Sequence, residues 1–165
     1  VAVPTFNTGN PITSADLNWW ITTRPLTSVW QLNTQSIPTG AYTAVTFDSE
    51  TIDRYNMHSG SGTQVTIGLE LGWYRVTAGV SWFSGAGGTY RGAVIRKNGG
   101  DISGGHTEIP NTGNFCMVVT GSLIVQATVS TDYVEVYAGH DRGSALSTNN
   151  GSGQNSFLSV EFLGT

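Results

Sequence analysis

The most obvious chemistry in the chain belongs to three histidines, His58, His106 and His140. Two stand beside a carboxylate, in His106-Thr107-Glu108 and His140-Asp141, so each pairs a nitrogen donor with an oxygen donor. Neither has the His-Glu-x-x-His spacing that sets two imidazoles on one helix face for zinc, and the single Cys116 provides no second thiolate. All three histidines are therefore expected in solvated loops. Asp48, Glu50 and Asp53 alternate as oxygen ligands for calcium would, but the glycine and terminal glutamate of a calcium loop are missing. That cluster is expected to be a solvated turn. Cys116 lies in the apolar run Phe115-Cys116-Met117-Val118-Val119 without a Cys/His signature and reads as a buried thiol.

The other catalytic patterns fail on context. Ser59-Gly60-Ser61-Gly62 has no strand-to-helix elbow around it. Gly85-Ala86-Gly87-Gly88 is not followed by a Lys-Ser/Thr step or a helix that would cradle phosphate. Glycoside cleavage needs two acids facing across a cleft, and the 11 acidic residues nominate no convincing pair, although Asp132 and Glu135 are the ones to mutate in a test. No catalytic residue, metal or cofactor is expected. Aromatics interleaved with serine and asparagine suit stacking on sugars, but tryptophans in strands are more often core.

These side chains sit on an unusual background. Only 11% of the 165 residues are charged, against roughly 25% in an ordinary soluble domain. Glycine occurs 22 times, while 38% hydrophobic content with five Trp, six Tyr and six Phe is enough to build a core. A net charge of −4 argues against a nucleic-acid partner, and no apolar stretch is long enough for membrane insertion. One cysteine excludes an intrachain disulfide framework. No signal-peptide pattern stands at the start, so a product working outside the cell is expected to leave inside a particle or by lysis.

The elements that position the residues are strands. Tyr74, Val76, Ala78, Val80 and Trp82 share one face of a strand; Val134, Val136 and Ala138 share another, and Leu158, Val160 and Phe162 a third. Val65, Ile67, Leu69 and Leu71 also alternate, as does Met117 to Val129, with Leu123, Val125, Ala127 and Val129 on one side. Asn98-Gly99 is a hairpin signal. One-sided alternation over eight or more short strands indicates an all-β, antiparallel β-sandwich or jelly roll. Ahead of it, residues 1–28 form a separate arm with one brief helix, in which Thr13 or Ser14 caps Asp16-Leu17-Asn18-Trp19-Trp20-Ile21. Leu17, Trp20 and Ile21 give that helix an apolar face in search of a surface.

The order of these pieces has a familiar look. Thr43-Ala44-Val45-Thr46-Phe47-Asp48 leads through a polar loop to Gly72-Trp73-Tyr74-Arg75-Val76. Then come Arg96-Lys97-Asn98-Gly99, Asp132-Tyr133-Val134-Glu135-Val136 and the final Ser156-Phe157-Leu158-Ser159-Val160. Residues 29–165 resemble a C1q/TNF-like jelly roll, and more narrowly the versions in virion proteins of tailed phages of actinobacteria. The resemblance implies a ten-strand jelly roll that forms a homotrimer, one sheet of each subunit packing inward. Phe83, Ile124 and Phe157, opposite the inferred core, are then the trimer-interface candidates.

It also implies a function. The expected protein is a non-enzymatic virion component, either a capsid decoration or head fibre or a minor tail protein, assembled in the host cytoplasm. Its arm would dock on a capsid or tail protein through Leu17, Trp19, Trp20 and Ile21, and its loops would meet a host surface glycan or protein. The alternative is a secreted or surface bacterial C1q-like binding module for carbohydrate or protein.

Overall fold

The computed structural model describes residue 9, residues 11–151 and residues 153–165, and for Trp20 and Ile21 the backbone only. The chain opens with α1 (Ser14–Asn18), where Thr13 and Asp16 cap each other reciprocally. A π-helical turn, Trp19–Thr23, follows directly. Pro25 then hands the chain to β1 (Leu26–Trp30), β2 (Ser36–Ile37), β3 (Thr43–Ala44), β4 (Ser49–Asp53) and β5 (Gln64–Thr66). The long strands come next: β6 (Gly72–Trp82), β7 (Tyr90–Lys97), β8 (Gly100–Pro110), β9 (Cys116–Val119), β10 (Leu123–Ala127) and β11 (Tyr133–His140). β12 (Leu146–Ser147) and β13 (Phe157–Gly164) complete the chain.

Two antiparallel sheets stack face to face. One runs β10-β6-β13-β1-β4, with β9 continuing beside β6; the other runs β3-β11-β7-β8, with β5 on β11; β12 and β2 pair separately. The inward residues of β6, β11 and β13 are those whose alternation the sequence displays, and all are fully buried. Asn98 and Gly99 both take positive φ in the tight β7–β8 turn, as a type I′ hairpin requires.

The expected strand from Val65 to Leu71 stops at Thr66. The Ile67 and Gly68 N–H groups both donate to the Asp132 carbonyl, and Gly68 presses so closely on Val129 and Ser130 that a side chain there would collide with their backbone. Leu69 and Leu71 are therefore exposed on a turn rather than buried on a strand. The alternating run Met117 to Val129 is broken by a β-bulge. Thr120–Ser122 lie opposite only Ala78 and Thr77 of β6, so the inward parity changes from Val118 to Leu123, Val125 and Ala127. Thr120 fills the break: its backbone N–H and hydroxyl both donate to the Ala78 carbonyl.

The arm and the sandwich are continuous. β1 begins at Leu26, inside the expected 1–28 arm, and Trp19 is buried in the domain's own core, its ring edge-on to Phe162 at 6.2 Å. This corrects the docking expectation for Trp19, since an indole covering Phe162 presents no surface to another protein. Leu17 stays half exposed, and the side chains of Trp20 and Ile21 lie outside the described residues.

Candidate functional site

The histidine expectation fails on burial at two positions and on location at the third, since His106 is exposed but stands on β8. His58 is buried, its Nδ1 2.9 Å from Glu50 Oε1 and its Nε2 3.3 Å from the Gly62 carbonyl. His140 is fully buried: Nδ1 accepts from the Arg142 N–H at 3.2 Å, so Nε2 carries the proton and donates to the Ile37 carbonyl at 3.0 Å. Burial lowers the His140 pKa, outweighing the Ile37 bond, which favours protonation. Both imidazoles tie strands to loops.

The carboxylates are occupied in the same way. Asp48 accepts from the Leu32 and Asn33 backbone N–H groups and from the Asn33 amide. Asp53 accepts from Thr27, Met57 and His58. Of the three acids of the calcium-like run, Asp48 thus serves one turn, while Glu50 and Asp53 both hold the Met57-His58 turn. Among the described residues, no three His, Cys, Asp or Glu side chains come together in a way that would hold a metal ion, and no helix is long and apolar enough to cross a membrane.

Asp132 and Glu135 do not face each other across a cleft. Asp132 is the hub of a turn, receiving Lys97 Nζ at 2.9 Å, the Asn98 amide at 2.7 Å and the Thr128 and Val129 N–H groups at 2.7 and 3.2 Å. Burial by itself would raise its pKa, but these donors outweigh burial and hold the carboxyl well below its usual range. Glu135 accepts from the Thr63 hydroxyl at 2.7 Å. Cys116 is half-buried, and burial pushes its thiol pKa up. Nearby, Arg91 is buried and, among the described residues, makes no ion pair; the Tyr90, Gly85 and Gly87 carbonyls receive its guanidinium. The Gly85–Gly88 stretch therefore wraps an arginine rather than a phosphate.

The outer face of the six-stranded sheet is organised in rows. Trp30, Phe157, Gly79 and Val119 lie directly opposite one another on β1, β13, β6 and β9 and form an apolar row near one end. Ser28, Ser159 and Thr77 make a small hydroxyl row beside it, with the two serine hydroxyls 3.0 Å apart. In the next row Glu161 stands opposite Arg75, and Arg75 opposite Ile124. Arg24 and Arg75 reach Glu161 at 2.6 and 3.3 Å. A shallow depression of about 200 Å³ runs between the hydroxyl and charged rows. Ile124 and Phe157 both belong to this face, 53% exposed and half-buried respectively. Phe83 follows Trp82 at the end of β6 and packs on Phe115, with centroids 5.7 Å apart, rather than lying on the flat of the sheet.

The opposite sheet carries a polar latch the sequence reading missed. Tyr42 lies over Gly92 and Gly139, where a β-carbon on either glycine would run into its ring or hydroxyl. Its hydroxyl reaches Glu108 Oε1 and His106 Nε2, both at 2.8 Å. Burial first, then Glu108, raises the phenol's pKa. Two glycines paired across neighbouring strands were the available signal.

The two ends of the sandwich differ. Where β6 starts and β13 finishes, the exposed apolar residues Leu69, Leu71, Trp73 and Val129 stand at the same end as the arm, anchored there by Trp19 on Phe162. At the far end, where β6 finishes and β13 starts, a cavity of about 360 Å³ is lined by Phe83, Phe115, Asn149, Asn150, Gly151 and Gln154.

No protein-family model matches the chain, and no curated protein sequence matches it. Solved structures do. The globular domain of zebrafish complement 1qA has a TM-score of 0.61 at 14% identity, covering 86% of this chain and 98% of that one. Murine APRIL gives 0.58 at 12% identity, covering 85% and 100%. The PRD1 vertex protein P5 gives 0.58 at 16% identity, covering 86% and 99%. At such identities the likeness is one of fold: the chain is an antiparallel jelly-roll sandwich of the C1q/TNF type.

Proposed function

We propose that this protein is a non-enzymatic, homotrimeric appendage of a virus particle, docked on the capsid or tail by its arm end. The observation that carries the reading is the outer face of the six-stranded sheet. Its apolar row leaves Val119 exposed and Trp30 and Phe157 half-buried, and its charged row holds both signs, so closed association with further copies would cover the face, and the C1q/TNF-type fold favours three of them. Ile124 and Phe157 are the subunit contacts assigned there, joined by Trp30 and Val119. Phe83 serves the far-end cavity instead.

Rotation about an axis parallel to the sheets leaves the sandwich ends open. Leu17, Leu69, Leu71 and Val129 of each copy then stand exposed at one end and suit an apolar surface on a capsid or tail protein. Burying one such side chain contributes roughly 1.5–3 kcal/mol, and three linked copies multiply a weak single contact into firm attachment. The virion reading has a precedent for this fold in the PRD1 vertex protein P5.

The test is a chain lacking residues 1–18, cut before Trp19 so that the core stays closed. It is expected to remain trimeric and to be absent from purified particles. Particles that still incorporate it would remove the arm from the docking assignment, and no association of the full chain with any particle would favour the secreted module.

A further inference from the structure

We propose that the far-end cavity is a binding site for a neutral sugar. Its floor is the tilted pair Phe83 and Phe115, and Phe115 is 53% exposed. An exposed aromatic face attracts the C–H-rich face of a pyranose ring through its negative π surface. The wall is made of amides. The Asn149 amide donates to Gln154 Oε1 at 3.0 Å and accepts from the Gly151 N–H at 3.1 Å, which fixes the loop. The Asn150 amide donates to the Leu32 carbonyl at 2.7 Å. Among the described residues this leaves the Gln154 amide nitrogen as donor and the Asn150 amide oxygen as acceptor without a bond of their own. A donor and an acceptor on adjacent side chains match vicinal hydroxyls, each of which both gives and accepts a hydrogen bond.

The chemistry also says what is excluded. Among the described residues no charged side chain lines the cavity, so a sialylated, sulfated or phosphorylated ligand would find no counter-ion there and an amine no carboxylate. The volume falls within the range of small-molecule sites, roughly 300–1,000 Å³, and the site opens broadly to solvent, so a sugar would be held by one face. The position adds a reason: the cavity stands at the end opposite the arm, and in the docked appendage, the reading on which this clause rests, that end is directed away from the particle.

The experiment is titration of the full chain with neutral oligosaccharides built from glucose, galactose, mannose and N-acetylglucosamine. Sialylated and sulfated glycans serve as controls, and mass is measured by light scattering throughout. At least one neutral sugar is expected to bind saturably. Phe115→Ala, an exposed change that leaves the core intact, is expected to weaken it at least tenfold, as is Gln154→Ala, with the oligomer unchanged. Absence of binding at millimolar sugar, equal binding of the charged glycans, or unaltered affinity in both variants would overturn the assignment. If Phe115→Ala instead splits the oligomer, the cavity belongs to the subunit contact and the sugar site is wrong, while the trimer reading survives.

Discussion

The ring of Phe157 occupies the space of a missing side chain at Gly79: a β-carbon built on that glycine would sit 2.5 Å from the ring. Gly79 thereby lets Phe157 lie flat in the apolar row between Trp30 and Val119. Gly79→Val should tip the ring out of the row, costing about 1–3 kcal/mol as overpacked sites do, and should weaken subunit association. Thermal unfolding and sedimentation, run together, check both effects; unchanged association would detach this row from the subunit contact.

Asp132 should be among the most sensitive polar positions. Asp132→Asn removes the charge that collects Lys97, Asn98, Thr128 and Val129, and hydrogen bonds to a charged group contribute about 1.5–3 kcal/mol each at a buried site. Its pKa is depressed in the folded state, so the stabilisation is fully present above the ordinary carboxylate value and is lost as pH falls from there through the depressed folded-state value. The variant should unfold at lower denaturant than the native chain at pH 7, with the gap closing in strong acid.

His140 gives a slope of its own. The folded protein resists protonating it, while the unfolded chain takes up the proton below about 6.5. Stability should therefore rise with pH up to that value and level off above it. Comparing denaturant midpoints at pH 5 and pH 7.5 tests this, and His140→Gln should flatten the difference.

Trp19→Ala opens a hole beside Phe162 and should cost roughly 3–5 kcal/mol of domain stability. Leu17→Ala, at a half-exposed position, should leave stability unchanged and reduce attachment to particles. Calorimetry and particle incorporation separate the two roles within three residues of chain.

These contrasts also mark what the sequence could carry. Tyr74 to Trp82, Val134 to Ala138 and Leu158 to Phe162 were legible because a long strand buried on one face writes its burial as strict alternation. Leu69 and Leu71 wrote the same pattern for another reason, standing exposed on a turn, and local sequence does not distinguish the two. The bulge at Thr120 inverts parity with no turn residue more telling than Gly121. His140 looks like a loop histidine because its partner Ile37 lies 103 residues away, whereas the partners of His58, Glu50 and Gly62, stand eight and four residues off at a spacing that matches no motif. Trp19 was read as part of the arm since its counterpart, Phe162, lies at the other end of the chain. The far-end cavity assembles Phe83, Phe115 and the Asn149–Gln154 stretch from three separate loops, which no spacing along the chain announces.

The central claim is that the outer face of the six-stranded sheet joins three copies. Light scattering of the full chain at micromolar concentration, beside Ile124→Asp and Phe157→Asp, tests it most directly. The account predicts three times the chain mass for the native protein, and a single-chain mass with unchanged secondary structure for at least Ile124→Asp, whose side chain is already 53% exposed in one copy. A native protein that scatters as one chain, or a trimer that both substitutions leave intact, would contradict it.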